Sequence, residues 1–150
     1  MRNNAVPRKD LQKILLVNWS RFTAETIKVS NSVLITGVNG TGKSTVLDAV
    51  SYAVSGNRDF NSAAQDRDRS VRSYVRGDTK SSGARRFLRS GAVVSYIALE
   101  FWSAQENAHF VVGVCVESKD ELSDDSFWFV RKNAVIDDFN FYVKKDSSVT

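Results

Sequence analysis

Eight residues, Gly37-Val38-Asn39-Gly40-Thr41-Gly42-Lys43-Ser44, restrict the fold more than any other part of the chain. They fit G-x-x-x-x-G-K-[ST], with apolar Val33-Leu34-Ile35 before them and helix-like Thr45-Val46-Leu47-Asp48-Ala49-Val50 after. Such a stretch works as a turn from a strand into the N-terminus of a helix. Glycines let the backbone wrap closely, so amide N–H groups of Asn39, Gly40, Thr41, Gly42, Lys43, Ser44 and Thr45 can converge on one point. The positive end of the following helix strengthens their field. A triphosphate is the ligand this suits: Lys43 brings a mobile charge to the β and γ phosphates, the Ser44 hydroxyl is placed for Mg2+, and Thr45 reaches the α phosphate. A glycine turn that merely joined two elements would not require Lys43 followed by Ser44.

The rest of the chain is read by periodicity. Residues 1–10 read as a loose leader and 11–150 as one domain, long enough to bury a core. Lys13–Trp19 and Glu25–Val29 read as strands, and Val33–Thr36 as a short third strand feeding the loop. Val46, Leu47, Val50 and Val54 recur at helical spacing before Gly56, a C-terminal stop. A loop over Asn57–Gln65 precedes a short helix from about Asp68 to Arg76, with Val71, Tyr74 and Val75 on one face, and Lys80–Gly83 reads as a flexible connection. The period then becomes two: Val93, Ile97, Leu99 and Phe101 share a strand face, as do Phe110, Val112, Val114 and Val116, then Phe127 and Phe129, then Phe139, Phe141 and Val143. Consecutive strands without crossovers imply an antiparallel meander. The expected class is α/β, a mixed sheet carrying the loop's helix plus that meander.

Cys115 is the only cysteine and lies in an apolar run, so it reads as a small buried hydrophobe; His109, also alone, lacks partners for a metal site. No run of eighteen apolar residues occurs, and the chain reads as soluble and cytoplasmic, with no membrane partner. The net charge of +4 is local: Arg58–Arg89 holds nine Arg or Lys against four Asp, the remainder twelve basic against thirteen acidic residues. That patch suits a phosphate-rich partner or is simply a solvated face. Hydrolysis would further require an acid to hold the metal. Glu117, ending Val112–Val116, is the one candidate, and an apolar strand often ends in a solvated acid. Asp48, one turn after Ser44, either orients that hydroxyl or is a surface acid favoured by the dipole. Three readings stay open: a nucleotide-binding portion of a larger ATPase, a small stand-alone kinase or transferase using Glu117, and a basic nucleic-acid binder.

The chain resembles the N-terminal head segment of SMC-like, ABC-type ATPases, the family of the SMC, MukB, RecF and SbcC kinds. The resemblance rests on Asn18-Trp19-Ser20-Arg21-Phe22, the Asn39-containing loop through Thr45, and Leu47-Asp48-Ala49. Arg58-Asp59-Phe60-Asn61-Ser62-Ala63-Ala64, Tyr74-Val75-Arg76-Gly77 and Tyr96-Ile97-Ala98-Leu99-Glu100-Phe101 are similar to the MukB-like subunit of Wadjet-type plasmid-defence systems. The likeness implies a P-loop NTPase half-head that binds ATP and Mg2+. In such a head a C-terminal half supplies signature and metal-binding acid, and a second head completes the nucleotide sandwich. It further implies DNA and accessory subunits as partners, and places Arg21 beside the nucleotide. No signature occurs here; Leu122-Ser123-Asp124-Asp125 puts two carboxylates where glycines should approach a phosphate.

Overall fold

A computed structural model describes residues 7–30, 32–60, 70–81, 84–120, 122–145 and 148–149. In chain order the elements are β1 (Lys9–Trp19), β2 (Phe22–Lys28), α1 (Lys43–Ser55), α2 (Val71–Arg76), β3 (Asp78–Ser81), β4 (Ala84–Phe87), β5 (Val93–Ser103), β6 (Ala108–Ser118), β7 (Asp125–Lys132), a 3-10 turn at Ile136–Asp138, and the short pair β8 (Lys144–Lys145) and β9 (Ser148–Val149). Five strands form one sheet in the order β2-β1-β5-β6-β7, with β3-β4 as a separate hairpin. Every pairing among the described residues is antiparallel, so the expected mixed sheet is corrected to an antiparallel one.

Alternation divides the sheet into two faces. On one, Ile14, Leu16, Ile97, Leu99, Val114 and Val116 pack beneath Val46, Ala49, Tyr52 and Ala53 of α1 and Val71, Tyr74 and Val75 of α2. On the other, Leu15, Val17, Ala98 and Val111 pack with Ala134, Ile136, Phe139 and Phe141. Trp19 breaks the rhythm. Counting from Leu15 and Val17 it should share their face, yet it is fully buried on the helix side. Asn18, with φ of 51°, makes the switch. The indole stacks on Tyr74 at 4.7 Å and on Tyr52 at 6.0 Å, forming the aromatic centre of the helix-side core.

Several expectations hold. Strand faces in β5 and β6 match, Gly56 caps α1 by donating its N–H to the Tyr52 carbonyl at 2.9 Å, and Val71, Tyr74 and Val75 are the buried face of α2. α2 starts at a capping box in which Ser70 and Ser73 each accept from the other's backbone N–H.

Others are corrected. β1 starts at Lys9, inside the expected leader, because Lys9 and Asp10 pair with Ser103 and Trp102. Val33–Thr36 is not a strand: both edges of β1 are taken by β2 and β5, and no strand among the described residues pairs with it. Leu47 and Val54 do not face the core but stand 61% and 63% exposed, since Val46, Ala49 and Ala53 occupy the inward stripe. Lys80 and Ser81 extend β3 rather than form a flexible connection. Phe139, Phe141 and Val143 form no strand; Phe141 packs against Tyr96, Phe129 and Phe139 as an irregular cover for the second face. The leader through Val6, the expected loop and helix start over 61–69, and Ser82 and Gly83 lie outside the described residues.

Candidate functional site

The loop lies between an exposed approach and a firmly seated helix. Gly42 is the N-cap of α1 with φ of 102° and no side chain caps it, so the first N–H groups of α1, those of Lys43, Ser44 and Thr45, lack intrahelical acceptors by helix geometry. A Cβ at Gly42 would lie 3.3 Å from Phe22 Cζ, so the close approach of turn and loop favours glycine there as well. Uncapped donors at the head of a thirteen-residue helix form an anion-binding arrangement.

Lys43 completes the charge. Its ammonium donates to the carbonyl of Gly37 and, at 2.8 Å, to that of Val38. The ammonium is thus held within the loop by two of its own carbonyls. Thr41 turns inward: its hydroxyl donates to Val38 O at 2.9 Å and its N–H to the same atom at 3.4 Å, so this expected donor is engaged within the loop. Asn39, Gly40 and Thr41 are exposed, while Ser44 and Thr45 are half-buried in the first turn of α1. Arg21 is exposed at the β1–β2 turn, next to the Phe22 ring that touches Gly42.

The contacts that fix the loop from behind are long-range and carry no local sequence signal. Trp19 Nε1 donates to Thr45 O at 3.2 Å, tying the β1 end to the head of α1. Asp48 is no surface acid. It is 7% exposed and accepts from the Tyr74 hydroxyl, joining α1 to α2. Glu117 lies on the sheet face opposite α1, beside Tyr96 and Cys115, and so faces away from the loop. Among the described residues no group of three or more His, Cys, Asp or Glu side chains is placed to hold a metal; His109 Nδ1 instead lies 3.2 Å from Glu100 Oε1. Cys115 is half-buried, and burial pushes its thiol up from the ordinary value.

The basic segment loses two of its charges to the interior. Arg76 is fully buried, and its guanidinium donates to the carbonyls of Gly91 at 3.0 Å, Asp120 at 3.1 Å, and Ser118 and Arg89 at 3.4 Å. Arg89 is half-buried among carbonyls, which lowers its pKa by desolvation. Arg58 pairs with Asp124 at 3.1 Å. Composition alone therefore overstates the surface charge available to a nucleic acid.

The donor set fits a phosphate chain with its cation: main-chain N–H groups and the Lys43 ammonium would meet the oxygens, and the Ser44 hydroxyl would hold Mg2+, which when bound neutralises phosphate charge. Among the described residues no helix is long and apolar enough to cross a membrane. No curated protein matches the sequence. Residues 11–67 match the family described as the P-loop containing region of AAA domain. With the uncapped helix head and its lysine in view, that match supports a P-loop NTPase domain, a class that binds nucleotide with Mg2+.

Proposed function

We propose that this chain is the N-terminal lobe of an SMC-like, ABC-type ATPase head. It binds Mg-ATP weakly by itself, and hydrolysis and work on DNA follow once a C-terminal lobe and a second head are added. Gly40, Gly42, Lys43, Ser44 and Thr45 hold the phosphates, Asn39 and Thr41 shape the loop, Ser44 holds the metal, and Arg21 approaches from the β1–β2 turn. The carrying observation is the uncapped head of α1 with the Lys43 ammonium held on the Gly37 and Val38 carbonyls of the same loop.

Support for a second lobe comes from apolar side chains that face water ahead of the helix. Val33, Leu34 and Val38 are 46%, 85% and 76% exposed within the stretch that leads into the loop. Solvent-facing apolar residues this close together suit burial against another element. A partner strand laid beside Val33–Ile35 would give the approach the sheet neighbour it lacks, and that partner is the natural source of the metal-binding acid. A stand-alone kinase is disfavoured because Glu117 faces the wrong way.

The test is an amide-resonance titration of 15N-labelled chain with Mg-ATP, repeated with Lys43→Ala. Shifts centred on residues 39–45 at millimolar ligand, lost in the variant, are the expected result. Equal affinity in both proteins would remove the nucleotide reading. Co-expression with the C-terminal lobe should raise affinity and bring ATP turnover; no change on adding it would remove the split-head reading while leaving nucleotide binding in place.

A further inference from the structure

We propose that Arg89 is a positioning residue for the nucleotide loop, acting through the turn Asn18–Phe22 that forms the loop's rear wall. This rests on the nucleotide-binding reading above and adds to it the residue that sets the loop's geometry. Arg89 is remote in sequence from the phosphate motif and follows the β3–β4 hairpin.

Its guanidinium takes up the whole turn. Nε donates to Asn18 Oδ1 at 3.0 Å, Nη1 to Ser20 O at 2.8 Å and Val75 O at 3.1 Å, and Nη2 to Phe22 O at 3.0 Å. Three of those acceptors belong to five consecutive residues, and the fourth anchors the same cation to α2. A fan of directed donors is what guanidinium offers and an ammonium does not.

The turn needs such a clasp. Asn18 and Ser20 hold φ of 51° and 53°, a left-handed conformation unfavourable for residues with a Cβ and least so for Asn. It is also pressed hard onto the end of α2: a Cβ on Gly77 would come within 2.8 Å of Ser20 O and 3.1 Å of Arg89 Nη1, and Gly77 itself has φ of 67°. Ser20 N–H donates to Tyr74 O, and the Asn18 amide donates to Val94 O at 2.9 Å. Strained backbone held by several converging partners marks a position whose geometry matters.

What the turn holds is the loop. Its Phe22 ring abuts Gly42, the N-cap, and its Trp19 indole donates to Thr45 O in the first turn of α1. Release of the turn would free both contacts together, and the amide groups aimed at phosphate would lose their fixed direction. Preorganised donors bind more tightly than donors that must be ordered by the ligand.

The experiment uses the same titration with Mg-ATP. Arg89→Lys, folded at the assay temperature by thermal melt, should bind about tenfold more weakly, a loss on the scale of one or two charge-assisted hydrogen bonds. Arg89→Ala should recover to within about threefold of wild type when millimolar methylguanidinium is added, a rescue that general destabilisation would not give. Should Arg89→Ala fail to fold, Asn18→Gly keeps the left-handed backbone while deleting the Oδ1 acceptor of Arg89 together with the amide's bond to Val94 O. It should weaken binding by about threefold and add nothing further to Arg89→Lys. Wild-type affinity in Arg89→Lys and Asn18→Gly, or full additivity between them, would overturn the assignment. If affinity still depends on Lys43, only the role of Arg89 falls; if the wild-type chain shows no Lys43-dependent binding, both readings fall.

Discussion

Behind the phosphate loop, a turn of five residues is stapled by an arginine, an indole and a ring contact; in front of it, residues 32–38 run outside any sheet with Val33, Leu34 and Val38 in water and Ile35 alone packed on the core. The two regions flank the same eight residues and are built by opposite means. The contrast teaches that this chain fixes the side of the loop that aims the donors and leaves open the side that would meet a partner. On the proposed reading, a loop supported on one flank should bind phosphate weakly, because part of the ordering falls to the ligand.

The largest effect expected from breaking the rear wall is at Trp19. Trp19→Ala removes the fully buried centre of the aromatic cluster and the bond to Thr45, and should cost about 3–5 kcal/mol in denaturant unfolding. A loss below about 1 kcal/mol would mean that the rear wall is not the rigid side. Arg76→Ala comes next: it leaves several inward carbonyls without their donor and should destabilise by about 3 kcal/mol, read as a fall in the urea midpoint at unchanged slope. Salt-sensitive DNA binding, if any, should then be lost only in proportion to unfolding, since this charge never meets solvent. The smallest effect belongs to the front. Leu34→Asp should leave the stability of the isolated chain within about 0.5 kcal/mol, as befits a residue 85% exposed, and should instead block association with the proposed C-terminal lobe in a pull-down. A large loss of stability at Leu34 would erase the contrast.

Legibility in the sequence followed the range of the interactions. The loop, the cap at Gly56, the α2 face and the β5–β6 faces were readable because each is set by spacing within a few residues. Long-range choices were not. Val33–Ile35 has the composition of a strand, but strand formation needs a neighbour, and composition cannot say that one is lacking. Leu47 and Val54 fit a helical stripe as well as Ala49 and Ala53 do; which stripe turned inward was decided by the sheet beneath. Arg76 and Arg89 counted as surface charge until their carbonyl acceptors, supplied from as far as Ser20 and Asp120, were in place. Asp48 joined α2 for the same reason. The motif itself was local; nearly everything that steadies it was distant.

The kink at Asn18 has a consequence for anyone altering this chain. Replacing it by valine or isoleucine would raise strand propensity and make the hairpin look more regular. Yet a regular strand would send the indole to the opposite layer, away from Tyr52, Tyr74 and Thr45. Here an irregularity is the hinge pin of the design, and smoothing it would unfasten the helix that carries the lysine.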